Sequence, residues 1–136
     1  MSKIIASAAA ENQGQNYETQ ITAGRHQFVA DELPELGGQD LGPDPFNYLC
    51  GALASCTVIT LRMYVQRKGW DVQNIKAQVN LEKESDDVSG NHTYHTTISF
   101  SGNLTDEQRD RLLYIAKACP IHRLMSKAGE IRTEIG

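Results

Sequence analysis

The stretch that decides the fold is Asp44–Gly69, DPFNYLCGALASCTVITLRMYVQRKG. Asp44 is a good N-cap residue, and Pro45 suits the first helical position, where no backbone N–H is needed. Gly69 suits the C′ position that ends a helix, and the two basic residues before it complement the negative end of the helix dipole. The sequence therefore predicts one long helix from Pro45 to Lys68.

The middle of this helix lacks a polar face. Between Leu49 and Leu61 nearly every side is apolar or small. A helix that is hydrophobic on all sides is normally buried on all sides. In a chain of 136 residues, one layer of sheet can cover only one side of it. We therefore expect a second copy of the chain to cover the other side, in a homodimer.

The composition is that of an ordinary globular chain, and its length predicts a single domain over residues 1–136. The net charge of -4 offers no basic excess to neutralise phosphates, which argues against nucleic acid or a membrane as partner. Polar residues interrupt every apolar run well short of about 18 residues, so we expect no transmembrane helix. Three cysteines without the spacing of a secreted scaffold predict a cytoplasmic location.

Alternating apolar residues and turn signals place the remaining elements around the long helix. Before the long helix we predict a short N-terminal edge strand, a hairpin over residues 17–30 and a loop over 31–43. After it we predict a second hairpin, with strands at 71–83 and 92–101 and its turn at 86–91, and then a helix that the Thr105/Gln108 capping box opens and that Pro120 closes at Cys119. A short helical piece at 120–127 and a last strand with Ile131, Thr133 and Ile135 complete the chain. This order predicts an α+β fold with antiparallel sheets wrapped around a long central helix.

Two cysteines in unlike settings are the main chemical candidates. Cys56 lies among small and hydroxylic residues in the long helix, which leaves room for a ligand beside it. A reactive thiol needs a cation or a helix N-terminus that favours the thiolate. Arg25 in the first hairpin is the preferred cation, because Arg62 lies on another helix face; the alternative is that Arg25 is a solvated hairpin residue. Cys119 is predicted at a helix C-terminus, where the dipole disfavours a thiolate and suits a resolving thiol.

Other candidates have plainer interpretations. Cys50 lies about 9 Å along the helix from Cys56, too far for a disulfide, and is interpreted as a packing residue. His122 could act as a base beside a cysteine, but a surface histidine is the preferred interpretation. The histidines and cysteines lack the spacing of a zinc site, and the glycines at 37–42 lack the lysine of a phosphate loop. We therefore expect neither a metal nor a cofactor.

Three stretches resemble the family of osmotically induced protein OsmC and organic hydroperoxide resistance protein Ohr. They are Leu36–Cys56, Met63-Tyr64 with Arg67–Trp70, and Cys119-Pro-Ile-His-Arg. The resemblance extends from Tyr17 to the end of the chain. It implies the OsmC-like fold, an intertwined homodimer with its sites at the subunit interface, and cysteine-based reduction of organic hydroperoxides.

The resemblance also implies residue roles. It makes Cys56 the peroxidatic cysteine, Cys119 the resolving cysteine that forms a disulfide with it, and an N-terminal arginine, for which Arg25 is the candidate, the activating group. An external dithiol, from a lipoyl protein or a thioredoxin-like protein, would reduce the disulfide. We expect an apolar substrate pocket shaped by Phe46, Tyr48 and Leu49.

One position departs from the family pattern. Phe46 stands where strongly active members have a glutamate that orients the arginine toward the thiolate. Two further hypotheses therefore stay open. One is a non-catalytic or small-ligand-binding protein with structural cysteines. The other is a hydrolase that uses Cys56 and His122.

Overall fold

A computed structural model describes residues 2–84, 86 and 90–136. Its elements are β1 (Ala9–Glu11), β2 (Thr19–Ala23), β3 (His26–Ala30), a 3-10 helix (Pro34–Leu36), α1 (Pro45–Lys68), β4 (Val72–Lys83), β5 (His92–Gly102), α2 (Asp106–Ala116) and α3 (Pro120–Met125). The chain divides into two compact units, Met1–Leu49 and Cys50–Gly136. The predicted α+β fold, with antiparallel sheets and one long helix, is confirmed.

The first unit contains a three-stranded antiparallel sheet in the order β1-β2-β3. The predicted hairpin is formed by β2 and β3, and Gly24 in its turn has φ 60°, a conformation that glycine adopts without strain. The predicted edge strand also forms, although it begins only at Ala9. The loop that follows the hairpin is interrupted by the short 3-10 helix.

A buried carboxylate organises this loop. Asp31 is 2% exposed. Its carboxylate accepts hydrogen bonds from the backbone N–H groups of Glu32 at 2.7 Å and of Gln39 and Leu41 at 3.2 Å each. Burial alone would raise the pKa of Asp31, but these three donors outweigh it and hold the pKa below the ordinary value of 3.8.

The lowered pKa predicts a pH-dependent contribution to stability. Above the unfolded-state pKa the ionised Asp31 stabilises the loop, and this stabilisation is lost as the pH falls through the lower, folded-state value. We expect Asp31→Asn to lower the denaturation midpoint at pH 7 and the difference from wild type to shrink in strong acid. Chemical denaturation across this pH range measures it. A difference that stays constant from neutral to strongly acidic pH would contradict this role.

Helix α1 has the predicted bounds and the predicted caps. The backbone N–H of Asn47 donates to Asp44 Oδ1 at 2.9 Å, so Asp44 caps the first turn. Gly69 follows the last turn with φ 67°, the left-handed conformation of a C′ glycine. Arg67 and Lys68 lie in the last turn, at the negative end of the dipole.

The second unit packs α1 and α2 against the β4–β5 hairpin. Its main core cluster consists of Leu61, Tyr64, Val65, Val72, Ile75, Leu112 and Ala116. A register irregularity between Val72 and Asn74 lies at the start of β4. At the end of β5, Gly102 has φ 137° and no room for a side chain, because a Cβ there would lie 2.4 Å from the Asp71 carbonyl oxygen. Residues 87–89 of the predicted turn lie outside the described residues.

Helix α2 begins as predicted but ends earlier. Thr105 and Gln108 form the expected capping box. The helix ends at Ala116, so the prediction that Cys119 closes it is wrong. Cys119 instead precedes α3 as its N-cap, with Pro120 at the first helical position. Proline is favoured at that position because its missing N–H is not needed there.

The predicted last strand is also wrong. The described residues from Lys127 to Gly136 contain no strand, and Ile131 and Ile135 are almost fully exposed. Their alternation with threonine favours an extended backbone, but an isolated segment cannot form a ladder of hydrogen bonds. No described strand pairs with this segment.

Within the described residues, the buried side chains of α1 lie along one face of the helix. Leu53, Leu61 and Val65 are buried. On another face Ile59 is 53% and Met63 61% exposed. This is the surface that the sequence analysis assigns to a second copy of the chain.

Candidate active site

The structure brings the two principal cysteines together. Cys119 is fully buried with Leu53 and Val79 in a second core cluster, and Cys56 packs, half-buried, against it. Cys56 and Cys119 are thus neighbours in the same cluster, close enough for each to affect the other's ionisation. Both are free thiols. Helix α1 supplies one sulfur and the start of α3 supplies the other, so residues distant in the sequence form one dithiol.

Cys119 takes part in a helix cap. The backbone N–H of His122 donates to Cys119 Sγ at 3.4 Å. Burial raises the pKa of the Cys119 thiol, and the neighbouring Cys56 raises it further, against a lowering by the backbone N–H groups of His122 and Ile121. The sequence analysis expected a disfavoured thiolate here because of a helix C-terminus, and the structure gives a different cause. Desolvation disfavours the thiolate, whereas the adjacent helix end is an N-terminus and not the predicted C-terminus.

Cys50 lies closer to this cluster than the sequence suggested. It packs, half-buried, against the cluster of Leu53, Val79 and Cys119. Burial raises the pKa of Tyr94, and the neighbouring Cys50 raises it further. Tyr94 was not a candidate in the sequence analysis, because only the fold brings β5 beside this turn of α1. Cys50 and Cys56 are held in one continuous helix and are not joined.

Arg62 is committed to a structural role. Its Nη1 donates to the Val72 carbonyl oxygen at 2.8 Å, and its Nη2 donates to that of Gln73 at 2.6 Å. These hydrogen bonds tie α1 to the start of β4. The guanidinium is therefore held by two backbone carbonyl oxygens.

The other predicted site residues belong to the first unit. Arg25 is exposed in the turn between β2 and β3. Tyr48 packs on Phe28 with ring centroids 5.7 Å apart, and its hydroxyl donates to the Val29 carbonyl oxygen. Phe46 is 51% and Leu49 45% exposed. The roles of these residues in activation and substrate binding stay predictions.

A cavity of about 760 Å³ adjoins the second core cluster, called here the cysteine cluster (Leu53, Val79 and Cys119). Leu53 lines the cavity, and so does Met125, which packs against the cluster. Apolar side chains from α1, β5 and α2 also line it, among them Ile98, Leu113 and Ala116. Basic and imidazole groups contribute as well, from His92, Lys117, His122 and Lys127. Its described lining includes no acidic residue. The cavity was missed in the sequence, since four separate elements form it.

The described part of the chain contains no group of three or more histidine, cysteine, aspartate or glutamate side chains that could hold a metal ion.

Helix α1 is long and apolar enough to cross a membrane, judged by length and composition only, with a mean hydropathy of 1.4. The serine and threonine residues interrupt its apolar run without lowering the average much, and length and composition alone do not make it a membrane span. Helices in the core of a globular protein often have the same length and composition. Leu61 and Val65 of α1 are buried in the core of the second unit.

Comparison with known proteins places this arrangement in a family. A sequence model described as OsmC-like protein matches residues 37–134, well over half of the chain. The chain belongs to the OsmC-like family. The match includes both cysteines of the dithiol and all of α1. No functionally curated protein matches the sequence.

Solved structures share the fold at low sequence identity. An OsmC-like protein from Mycoplasma pneumoniae gives a TM-score of 0.74 at 16% identity, covering 93% of this chain and 89% of that chain. An organic hydroperoxide resistance protein OsmC from Legionella pneumophila gives 0.62 at 15%, covering 92% and 91%. The organic hydroperoxide resistance protein OhrB of Bacillus subtilis gives 0.58 at 22%, covering 90% of each chain. At such identities the likeness establishes the fold alone.

Proposed function

We propose that this chain is a thiol peroxidase that reduces organic hydroperoxides to alcohols. Cys56 is the attacking residue and Cys119 the resolving residue. The observation that carries the proposal is the contact between these two thiols in one cluster. Family resemblance supports it, since solved structures of the same fold include proteins named for organic hydroperoxide resistance.

The chemistry proceeds in three steps. The Cys56 thiolate attacks the distal oxygen of ROOH, the O–O bond breaks, and the alkoxide takes a proton and leaves as ROH. The resulting sulfenic acid condenses with the Cys119 thiol, which forms the S–S bond and releases water. An external dithiol, carried by a lipoyl or thioredoxin-like protein, then reduces the disulfide by two thiol–disulfide exchanges.

The surroundings of the dithiol favour an organic substrate. Apolar side chains form about half of the wall of the adjoining cavity, so an alkyl or aryl group gains contacts there that hydrogen peroxide cannot make. We further assign Phe46, Tyr48 and Leu49 to the substrate pocket of the assembled protein. Activation of Cys56 is assigned to Arg25, because the guanidinium of Arg62 is held by two backbone carbonyls.

The active assembly is proposed to be an intertwined homodimer of single-domain chains. The exposed Ile59 and Met63 on α1 support this, because large apolar groups on a central helix are costly to leave in water. Light scattering should give twice the mass of the chain at micromolar concentration, and the mass of one chain would contradict the dimer. The free thiols fit a reducing cytoplasm, and defence against oxidative or osmotic stress is the proposed role.

A second candidate function is binding of a small ligand without catalysis. Phe46 favours it, since this position carries the arginine-orienting glutamate in strongly active relatives. The adjoining cavity, with its apolar wall and basic groups, could hold an anionic amphiphile. Under this alternative the cysteines are packing residues.

A peroxide-consumption assay separates the two functions. With a small dithiol as reductant, the proposal predicts that cumene hydroperoxide is consumed over many turnovers and at least about tenfold faster than hydrogen peroxide, which corresponds to about 1.4 kcal/mol of differential transition-state binding. Consumption no faster than that of the dithiol alone would favour the binding protein. Slow labelling of all three thiols by a thiol reagent at pH 7 would point the same way.

A further inference from the structure

Helix α3 is a short element whose packing on the rest of the unit is carried by partly buried side chains, Ile121 and Met125 among them. It has six residues, Pro120–Met125, and none of them is fully buried. Short helices gain little from their own hydrogen bonds and depend on caps and packing. Cys119 provides the N-cap, with its Sγ accepting the His122 N–H at 3.4 Å. The resolving sulfur of the proposed reaction is thus also the group that caps this helix.

We propose that α3 is a redox-controlled lid, which the disulfide between Cys56 and Cys119 loosens by withdrawing the capping sulfur. This inference rests on the proposed function, because that function makes the disulfide. The chemistry requires no further reactant. The bond forms by condensation of the Cys56 sulfenic acid with the Cys119 thiol, and water is released.

The withdrawal of the cap follows from disulfide geometry. Cys56 and Cys119 are free, unbonded thiols that pack in one cluster, whereas sulfurs in a disulfide lie about 2.05 Å apart with a dihedral angle near 90°. Bond formation draws the two sulfurs together, and under this proposal Cys119 Sγ moves toward α1 and away from the first turn of α3.

A loosened α3 would serve the return half of the cycle. Cys119 is fully buried in the reduced protein, yet a reductant must reach one sulfur of the disulfide. His122 and Met125 of α3 form part of the wall of the 760 Å³ cavity, and Met125 also packs on the cysteine cluster. Release of α3 would open this wall only in the oxidised protein, and reduction would restore the cap.

Amide hydrogen exchange tests the lid on the full-length protein. The backbone amides of Ile121–Met125 are compared in the reduced protein and after oxidation by diamide, which takes the two thiol hydrogens and becomes a hydrazine. Loss of an N-cap predicts exchange at least about fivefold faster in the oxidised form. The amides of α2 are the internal reference, and their exchange should change little.

Two variants serve as controls. Cys119→Ser keeps a capping oxygen and cannot form the disulfide, so its α3 amides should stay protected and insensitive to diamide. Cys56→Ser keeps the sulfur cap and should be equally insensitive. Unchanged exchange at Ile121–Met125 in wild-type protein, with the Cys56–Cys119 bond confirmed by peptide mapping, would overturn the lid and leave the peroxidase proposal standing. Faster exchange after diamide with no peroxide turnover would support the lid and overturn the peroxidase proposal.

Discussion

Replacing Cys56 by serine is expected to abolish peroxide turnover. The rate of cumene hydroperoxide consumption should fall at least about a thousandfold, to the level of the dithiol alone, because a serine hydroxyl is not ionised at neutral pH and cannot replace a thiolate as nucleophile. The fold should survive, since Cys56 is only half-buried and serine is close to it in size. Far-ultraviolet circular dichroism and the denaturation midpoint check that the protein is intact.

Cys50 offers the matched control for this variant. It lies in the same helix, is half-buried like Cys56, and packs against the same cluster. Cys50→Ser should retain turnover within about threefold of wild type, because it removes a packing thiol and no reacting group. Full turnover in Cys56→Ser, or loss of turnover in Cys50→Ser alone, would place the chemistry on a different thiol.

Replacing Cys119 by serine is expected to separate oxidation from recycling. Cys56 should still reduce one equivalent of peroxide, but the sulfenic acid then lacks a thiol with which to condense. A dimedone-type reagent should label Cys56 in this variant and leave wild-type protein largely unlabelled. Excess peroxide should carry the variant on to the irreversible sulfinic acid and stop further turnover. Intact mass spectrometry follows each of these products.

The opposite pattern in Cys119→Ser would remove Cys119 from the mechanism. If the variant recycles at the wild-type rate and resists further oxidation, another group resolves the sulfenic acid. Cys50 is then the remaining thiol on the same cluster. The double variant Cys50→Ser/Cys119→Ser decides whether it does so.

The sequence predicted the elements that local signals specify. Helix α1 begins and ends where Pro45 and Gly69 predict, and the Thr105 capping box opens α2. Each of these signals acts within a few residues, so tertiary packing has little opportunity to override it. The hairpins were predictable for a similar reason, since strand alternation and turn residues occur together.

The errors arose where a local signal had two interpretations. Pro120 can end one helix or begin the next, and here it begins α3, although its position after an apolar stripe also fits the end of α2. The structure has Cys119 capping α3, which reverses the sign of the helix-end effect on that thiol. Ile131 and Ile135 carried a strand pattern, but a strand also needs a neighbour, and a sequence pattern does not supply one.

Most of the candidate site could be found only in three dimensions. The contact between Cys56 and Cys119 was expected from family resemblance, whereas spacing in the sequence left it open. The approach of Tyr94 to Cys50 and the cavity beside the dithiol depend on how β5, α2 and α3 pack on α1. Such contacts join residues that are far apart in the chain, so no pattern within one segment could reveal them.

Titration with organic hydroperoxide, followed by intact mass spectrometry and peptide mapping, tests the central assignment most directly. One equivalent of cumene hydroperoxide should convert the reduced protein to a species lighter by two hydrogens per chain, with the bond mapped between residues 56 and 119. Continued recovery of unmodified thiols at both positions, or a bond that maps to any other pair, would contradict the account.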